Sequence, residues 1–177
     1  MRRMARIILA AALPACLALP AMGQSVNSIV ESLTPKPLTR SWSRGITVEG
    51  GEEEPKPPSV DLYVTFAFDS DALDTDAYFV LDNLGRALSD ERLREYRFLI
   101  AGHTDARGTD EYNMDLSRRR AATVVRYLTQ RHGVRLERLE SVGYGESQLL
   151  DPTRPEDGVN RRVQVVNLSP PTTAQGR

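Results

Sequence analysis

The sequence predicts an α+β domain of two layers, a mixed four-stranded sheet with two main helices on one face, in the order β-α-β-α-β-β. Three observations point to it. Val60, Leu62, Val64, Phe66 and Phe68 are apolar at every second position, the period of a half-buried strand. Ala77, Val80, Leu81, Leu84 and Leu88 then follow at i, i+3, i+4, i+7 and i+11, one stripe of a helix. Alternation returns at Tyr96, Phe98 and Ile100, and another helical stretch and two more strands follow before residue 168.

Each element carries its own start and stop. Asp74, Thr75 and Asp76 offer a cap for the first helix. The strand through Ile100 ends at Gly102. The second helix begins after Thr109 and stops at Gly133, with Tyr112, Leu116, Ala121, Val124, Val125 and Leu128 turned inward. Leu139 to Val142 reads as the third strand and Val163 to Leu168 as the fourth, with a loop from Gly143 to Asn160 carrying Gly145, Pro152, Pro155 and Gly158. Strand–helix–strand–helix–strand asks for parallel strands with right-handed crossovers and both helices on one side. The last strand follows a connection without an obvious helix, which leaves it free to run antiparallel. The folded domain is thus expected over residues 60–168, with a flexible tail over 169–177.

Residues 1–23 have the make-up of a signal peptide: Arg2, Arg3 and Arg6, an apolar run from Ile7 to Leu19, and small residues at Ala21 and Gly23. Leu13-Pro14-Ala15-Cys16 resembles the box before a lipidated cysteine, but Pro14 suits that box poorly and leaves a short apolar run, so Cys16 reads as part of a discarded signal. Export to the periplasm is the expectation, with the outer membrane a possible association. Residues 24–59 are rich in Pro and Gly and contain Glu52-Glu53-Glu54, a composition expected to be a mostly disordered linker. This N-terminal segment is the candidate contact for an outer-membrane or other envelope protein.

Composition removes several classes of function. With 23 Lys+Arg against 24 Asp+Glu, the formal net charge is −1, without the basic surplus of a nucleic-acid binder. Arg118-Arg119-Arg120 is a short basic run, but acids such as Glu111 and Asp115 share its helix and no aromatics interleave it. One cysteine and two histidines exclude a disulfide framework and leave a multi-histidine metal centre without ligands. No cofactor is implied.

Polar chemistry gathers between Gly102 and Arg120. Asp105 falls just past a strand end, where sheet proteins commonly place ligand contacts. Asn113 and Arg120 are seven apart on the next helix, on one stripe with Leu116 and Ser117 between them. If the loop folds back on that stripe, a carboxylate and a guanidinium converge on one pocket, a pair suited to a zwitterion. Spacing alone leaves this reading level with a solvated loop acid and a surface arginine.

The order Thr104-Asp105, Gly108, Tyr112-Asn113, Leu116-Ser117, Arg119-Arg120-Ala121, Gly143-Tyr144-Gly145-Glu146 and Asn160-Arg161-Arg162-Val163 resembles the OmpA-like peptidoglycan-associated domain, from about Val60 to Leu168. The resemblance implies an α+β domain of the Gram-negative periplasm that binds uncrosslinked stem peptides of peptidoglycan without covalent chemistry. It implies that Asp105 takes the ammonium and Arg120 the carboxylate of a diaminopimelate head group. It further implies that Asn113, Thr104 and Leu116 shape the pocket, with Arg161 on a neighbouring strand edge and Asp69 on the rim. The outer-membrane barrel of some family members is not expected, because residues 24–59 are too few for eight membrane strands.

An enzymatic alternative uses His103 and Asp105 as an acid–base pair acting on peptidoglycan. The two project to the same side of an extended chain, but no third ligand or orienting group is spaced to join them. A histidine beside a strand end is more often a structural residue. Pairs such as Asp69/Asp71 and Asp74/Asp76 read as caps and dipole partners at a helix start rather than as catalytic carboxylates.

Overall fold

Asp74 and Thr109 open the two long helices, as their short polar side chains lead one to expect. The computed structural model describes residues 24–36, 56–67 and 69–168. The expected signal peptide with Cys16, most of the expected linker, Phe68 and the expected tail lie outside the described residues. Asp74 accepts from the Thr75 N–H at the start of α2 (Thr75–Ser89). Thr109 accepts from the Tyr112 N–H at the start of α3 (Asp110–His132), and Gly133 ends that helix in the left-handed conformation at φ 63°.

The expected linker requires a correction. Val26–Leu33 form a helix, α1, capped by the Ser25 hydroxyl, with Ile29, Val30 and Leu33 fully buried. Eight residues do not sustain a helix in water by propensity. Burial decides it: the apolar stripe of α1 packs against α2 and the core. Gln24 and Asn83 add polar ties, because Gln24 donates to the Asp61 carbonyl at 3.4 Å and Asn83 donates to the Gln24 carbonyl at 3.2 Å. The two main helices on one face are therefore joined by a third, and the folded unit begins well before Val60.

The strands are β1 (Ser59–Leu62), β2 (Phe98–His103), β3 (Leu139–Gly145) and β4 (Val163–Asn167), ordered β1-β4-β2-β3 across the sheet. β2 and β3 are parallel, and β4 lies antiparallel between β1 and β2, which makes the sheet mixed. The first strand is shorter than its alternation suggests. Beyond Leu62 the chain leaves the sheet, and Phe66 makes only an isolated bridge to Leu73. Phe98, Ile100, Val163 and Val165 are buried beside Leu81, Leu84, Leu88, Val124 and Leu128, so the core sits between one face of the sheet and the helices.

α3 lies close on β2 and β3 because both strands offer glycine beneath it. A Cβ at Gly102 would stand 2.3 Å from the Ser117 carbonyl oxygen, and one at Gly143 would stand 2.4 Å from Ser117 Oγ. That hydroxyl accepts from the Gly145 N–H at 2.9 Å. The contact sets the height of the N-terminal half of α3 over the strand ends, where the polar residues collect.

Candidate functional site

Asp105 lies two residues past the end of β2 and is 6% exposed. Its loop is fixed by main-chain bonds: Thr104 N–H to the Gly145 carbonyl at 2.9 Å, and Ala106 N–H to the Pro155 carbonyl at 3.0 Å. Asn113, buried on α3, completes the clamp. Its amide group donates to the carbonyls of Asp105 and Arg107 and to the Glu146 carboxylate at 2.5 Å. The carboxamide therefore holds the loop that aims Asp105.

The Asp105 carboxylate is in an ion pair, with Arg161 Nη1 2.6 Å from Oδ2. Its other oxygen accepts a longer bond, 3.3 Å, from the Arg107 N–H. Arg161 follows a short 3-10 turn, Gly158–Asn160, that leads into β4. Asn160 is fully buried and ties that turn to the carbonyls of Arg154 and Pro155 and to the Asp151 N–H.

Arg120 stands one helical stripe along from Asn113. Its Nε donates to the Ser70 carbonyl at 3.0 Å, and its guanidinium carbon lies 4.8 Å from the centre of the Phe66 ring. These contacts use the Nε and the flat face of the group and leave its two terminal nitrogens without an acceptor among the described residues. Burial lowers the Arg120 pKa from its ordinary value; the nearby Arg161 charge acts in the same direction, and the Asp105 charge against it. All three groups thus share one local field. Ser70 is presented by a turn in which Asp69 adopts φ 51°, a left-handed conformation that Asp tolerates better than most residues. Asp69 accepts from the Tyr112 hydroxyl, and this bond raises the Tyr112 pKa.

The residues named from the sequence come together in part. Asp105, Arg161 and Arg120 converge, Asn113 supports them from below, and Asp69 marks the rim through Tyr112. Leu116 is buried on the same stripe of α3. Thr104 is buried as well, and its hydroxyl has no partner among the described residues. Tyr112, expected inward, is 39% exposed because Asp69 holds its hydroxyl at the surface. Phe66 and Glu146 were visible in the sequence as a strand position and a motif residue; their contacts with Arg120 and Asn113 depend on folding.

The cleft is shallow. A cavity of about 10 Å³ lies between Phe66, Val64, His103, Arg120, Arg161 and Arg162, room for about one water. His103 is 2% exposed, and among the described residues its ring nitrogens have no partner of good hydrogen-bond geometry, the Gln148 main chain giving only a weak contact. Burial, helped by the Arg162 guanidinium, pushes its pKa from 6.5 down to about 4. The acid–base alternative fails on these facts, since His103 is enclosed and Asp105 is turned to Arg161. Among the described residues, no group of three or more His, Cys, Asp or Glu could hold a metal.

A mixed sheet carries helices on one face, and an acid and two arginines collect near the end of β2. The chain matches the OmpA family model over residues 65–162, more than half its length, and belongs to that family. It is similar to outer membrane porin F of Pseudomonas aeruginosa, 36% identical over 110 residues that cover 59% of this chain and 30% of that protein. It is also similar to the peptidoglycan-associated lipoprotein of Pseudomonas aeruginosa, 39% identical over 102 residues, 56% of this chain and 58% of that protein. The chain thus spans between 30% and 58% of these two relatives. Among solved structures, the OmpA-like domain of FopA1 from Francisella tularensis superimposes with a TM-score of 0.53 at 24% identity, over 60% of this chain and 69% of that one, a likeness of fold. The names of these two relatives place them in the outer membrane and with peptidoglycan.

Proposed function

We propose that this domain binds the stem peptide of peptidoglycan non-covalently in the periplasm and so tethers an envelope component to the cell wall. The bound feature is the amino-acid head of diaminopimelate. Asp105 receives its ammonium and Arg120 its carboxylate, while Thr104, Asn113, Leu116, Arg161 and Asp69 shape and border the seat. Residues 1–23 export the chain, and the N-terminal segment contacts an outer-membrane or other envelope protein.

One observation carries the reading. The Arg120 guanidinium is fixed by the Phe66 ring and the Ser70 carbonyl while its two terminal nitrogens remain unpaired among the described residues. A planar fork with both prongs free matches a carboxylate, which it binds by two parallel bonds. The free side-chain ammonium that Asp105 would accept is present only where the stem peptide is uncrosslinked, since a cross-link converts it to an amide.

Charge-assisted hydrogen bonds contribute about 1.5–3 kcal/mol each, which gives modest affinity for one peptide. A polymer that displays many copies raises the overall retention. The test is sedimentation with isolated sacculi. The parent protein pellets with the wall, and Asp105→Asn and Arg120→Lys remain in the supernatant. Pelleting of both variants at the parental level refutes the assignment.

A further inference from the structure

Asp105 already has a cation on it. Arg161 Nη1 lies 2.6 Å from Oδ2, and the two side chains differ sharply in exposure, 48% for Arg161 and 8% for Asp105. An ammonium arriving from solvent therefore meets the guanidinium first, with the carboxylate behind it. The remaining oxygen faces the Arg107 N–H at 3.3 Å, within the main chain of the same loop. The oxygen that a ligand ammonium needs is the one that Arg161 holds.

Arg161 is built to give way at its head and not at its base. Its main-chain N–H is bonded to the Gly158 carbonyl at 3.0 Å, and its neighbour Asn160 is fully buried. Its side chain arches over Gly158, where a Cβ would come within 2.9 Å of Nη2. Glycine at that position keeps the guanidinium path open. Among the described residues the head has no bond beyond the pair with Asp105, and the Arg120 charge across the cleft repels it.

We infer that Arg161 is an internal counter-ion that gates Asp105. It keeps the nearly buried carboxylate paired while the site is empty, and the ligand's ammonium displaces it. This inference rests on the proposed role of Asp105 as ammonium acceptor. Binding is then an exchange of one cation for another, which selects against neutral groups. An amide or an acetylated amine cannot replace a guanidinium on a carboxylate, because the displacement leaves a desolvated charge without a partner.

The experiment is calorimetric titration of the full chain with a soluble stem tripeptide that carries diaminopimelate, with its side-chain amine either free or acetylated. Removing a half-exposed ion pair of about 1 kcal/mol predicts that Arg161→Gln binds the free-amine peptide about fivefold more tightly than the parent. The acetylated peptide gains nothing from the same change, and Asp105→Asn loses the free-amine peptide. Equal or weaker binding by Arg161→Gln, with Asp105→Asn still defective, overturns the gate and leaves the role of Asp105 intact. Parental binding by Asp105→Asn overturns both. If Arg161→Gln fails to fold, Arg161→Lys carries the test. It keeps a charge but loses the fork, so its affinity rises about twofold, and a fall overturns the gate.

Discussion

Asn167, at the end of β4, donates from its side chain to the main-chain carbonyl of Leu33 at 2.8 Å, a bond between residues 134 positions apart. Both partners are fully buried, and the carbonyl is one that the short helix α1 leaves free at its C-terminus. The bond locks the N-terminal helix to a central strand of the sheet. Removing the carboxamide leaves a buried carbonyl unsatisfied, so Asn167→Ala is expected to lose about 1–3 kcal/mol. Leu33→Ala, which empties a fully buried position, is expected to lose about 2–5 kcal/mol. Urea unfolding of the two variants checks this. Parental midpoints for both would mean that α1 is not part of the cooperative unit.

The same helix shows where sequence reading stopped. The caps at Asp74 and Thr109, the stop at Gly133 and the stripes of α2 and α3 are local patterns, and they were legible. The lack of a helix before the last strand left its sense open, and the structure makes it antiparallel to both neighbours. α1 was hidden because its three buried residues sit in a Pro- and Gly-rich stretch and acquire meaning only against the core. Asp105 and Arg120 were legible as a motif and as a spacing. That Arg161 would occupy Asp105, or Phe66 underlie Arg120, was not, since both contacts join elements distant in sequence.

Arg138 illustrates a structural arginine that no pattern announces. It is 7% exposed and donates to the carbonyls of Tyr96, Leu88 and Leu93 at 2.9, 3.0 and 2.8 Å, with its guanidinium over Phe98. It closes the end of α2 and the turn into β2. Arg138→Met fills similar space but abandons three carbonyls, and should lose at least about 2 kcal/mol. Arg138→Lys keeps a donor and should lose less. Thermal denaturation of the pair decides it, and equal melting temperatures for Arg138→Met and the parent would refute the role.

His103 makes stability depend on pH. Its folded pKa is depressed to about 4 from 6.5, so the unfolded chain takes up a proton before the folded one does. The stability contributed by the neutral ring is complete above about pH 6.5 and is lost as pH falls toward 4. Arg162 disfavours the imidazolium and Asp61 favours it, with burial the larger cause. His103→Leu removes the titration at similar volume. From pH 7 to pH 4 the parent should lose up to about 3 kcal/mol relative to this variant. Urea midpoints that shift in parallel for both proteins across that window would rule the effect out.

Phe66 is expected to act on binding only through Arg120. The ring lies under the guanidinium at 4.8 Å and shares a small cavity with Arg161 and Arg162. A contact of this kind is worth about 0.5–1 kcal/mol where partly exposed, so Phe66→Leu should weaken retention on isolated wall about two- to fivefold. Leucine keeps the apolar packing against the core, which holds the stability change below about 1.5 kcal/mol. The decisive comparison is a double-mutant cycle. If the ring works by flattening and orienting the guanidinium, Phe66→Leu costs nothing further once Arg120 is alanine. An equal loss in both backgrounds would mean that Phe66 contacts the wall directly or distorts the loop of Asp105, and Arg120 would then be oriented by the Ser70 carbonyl alone.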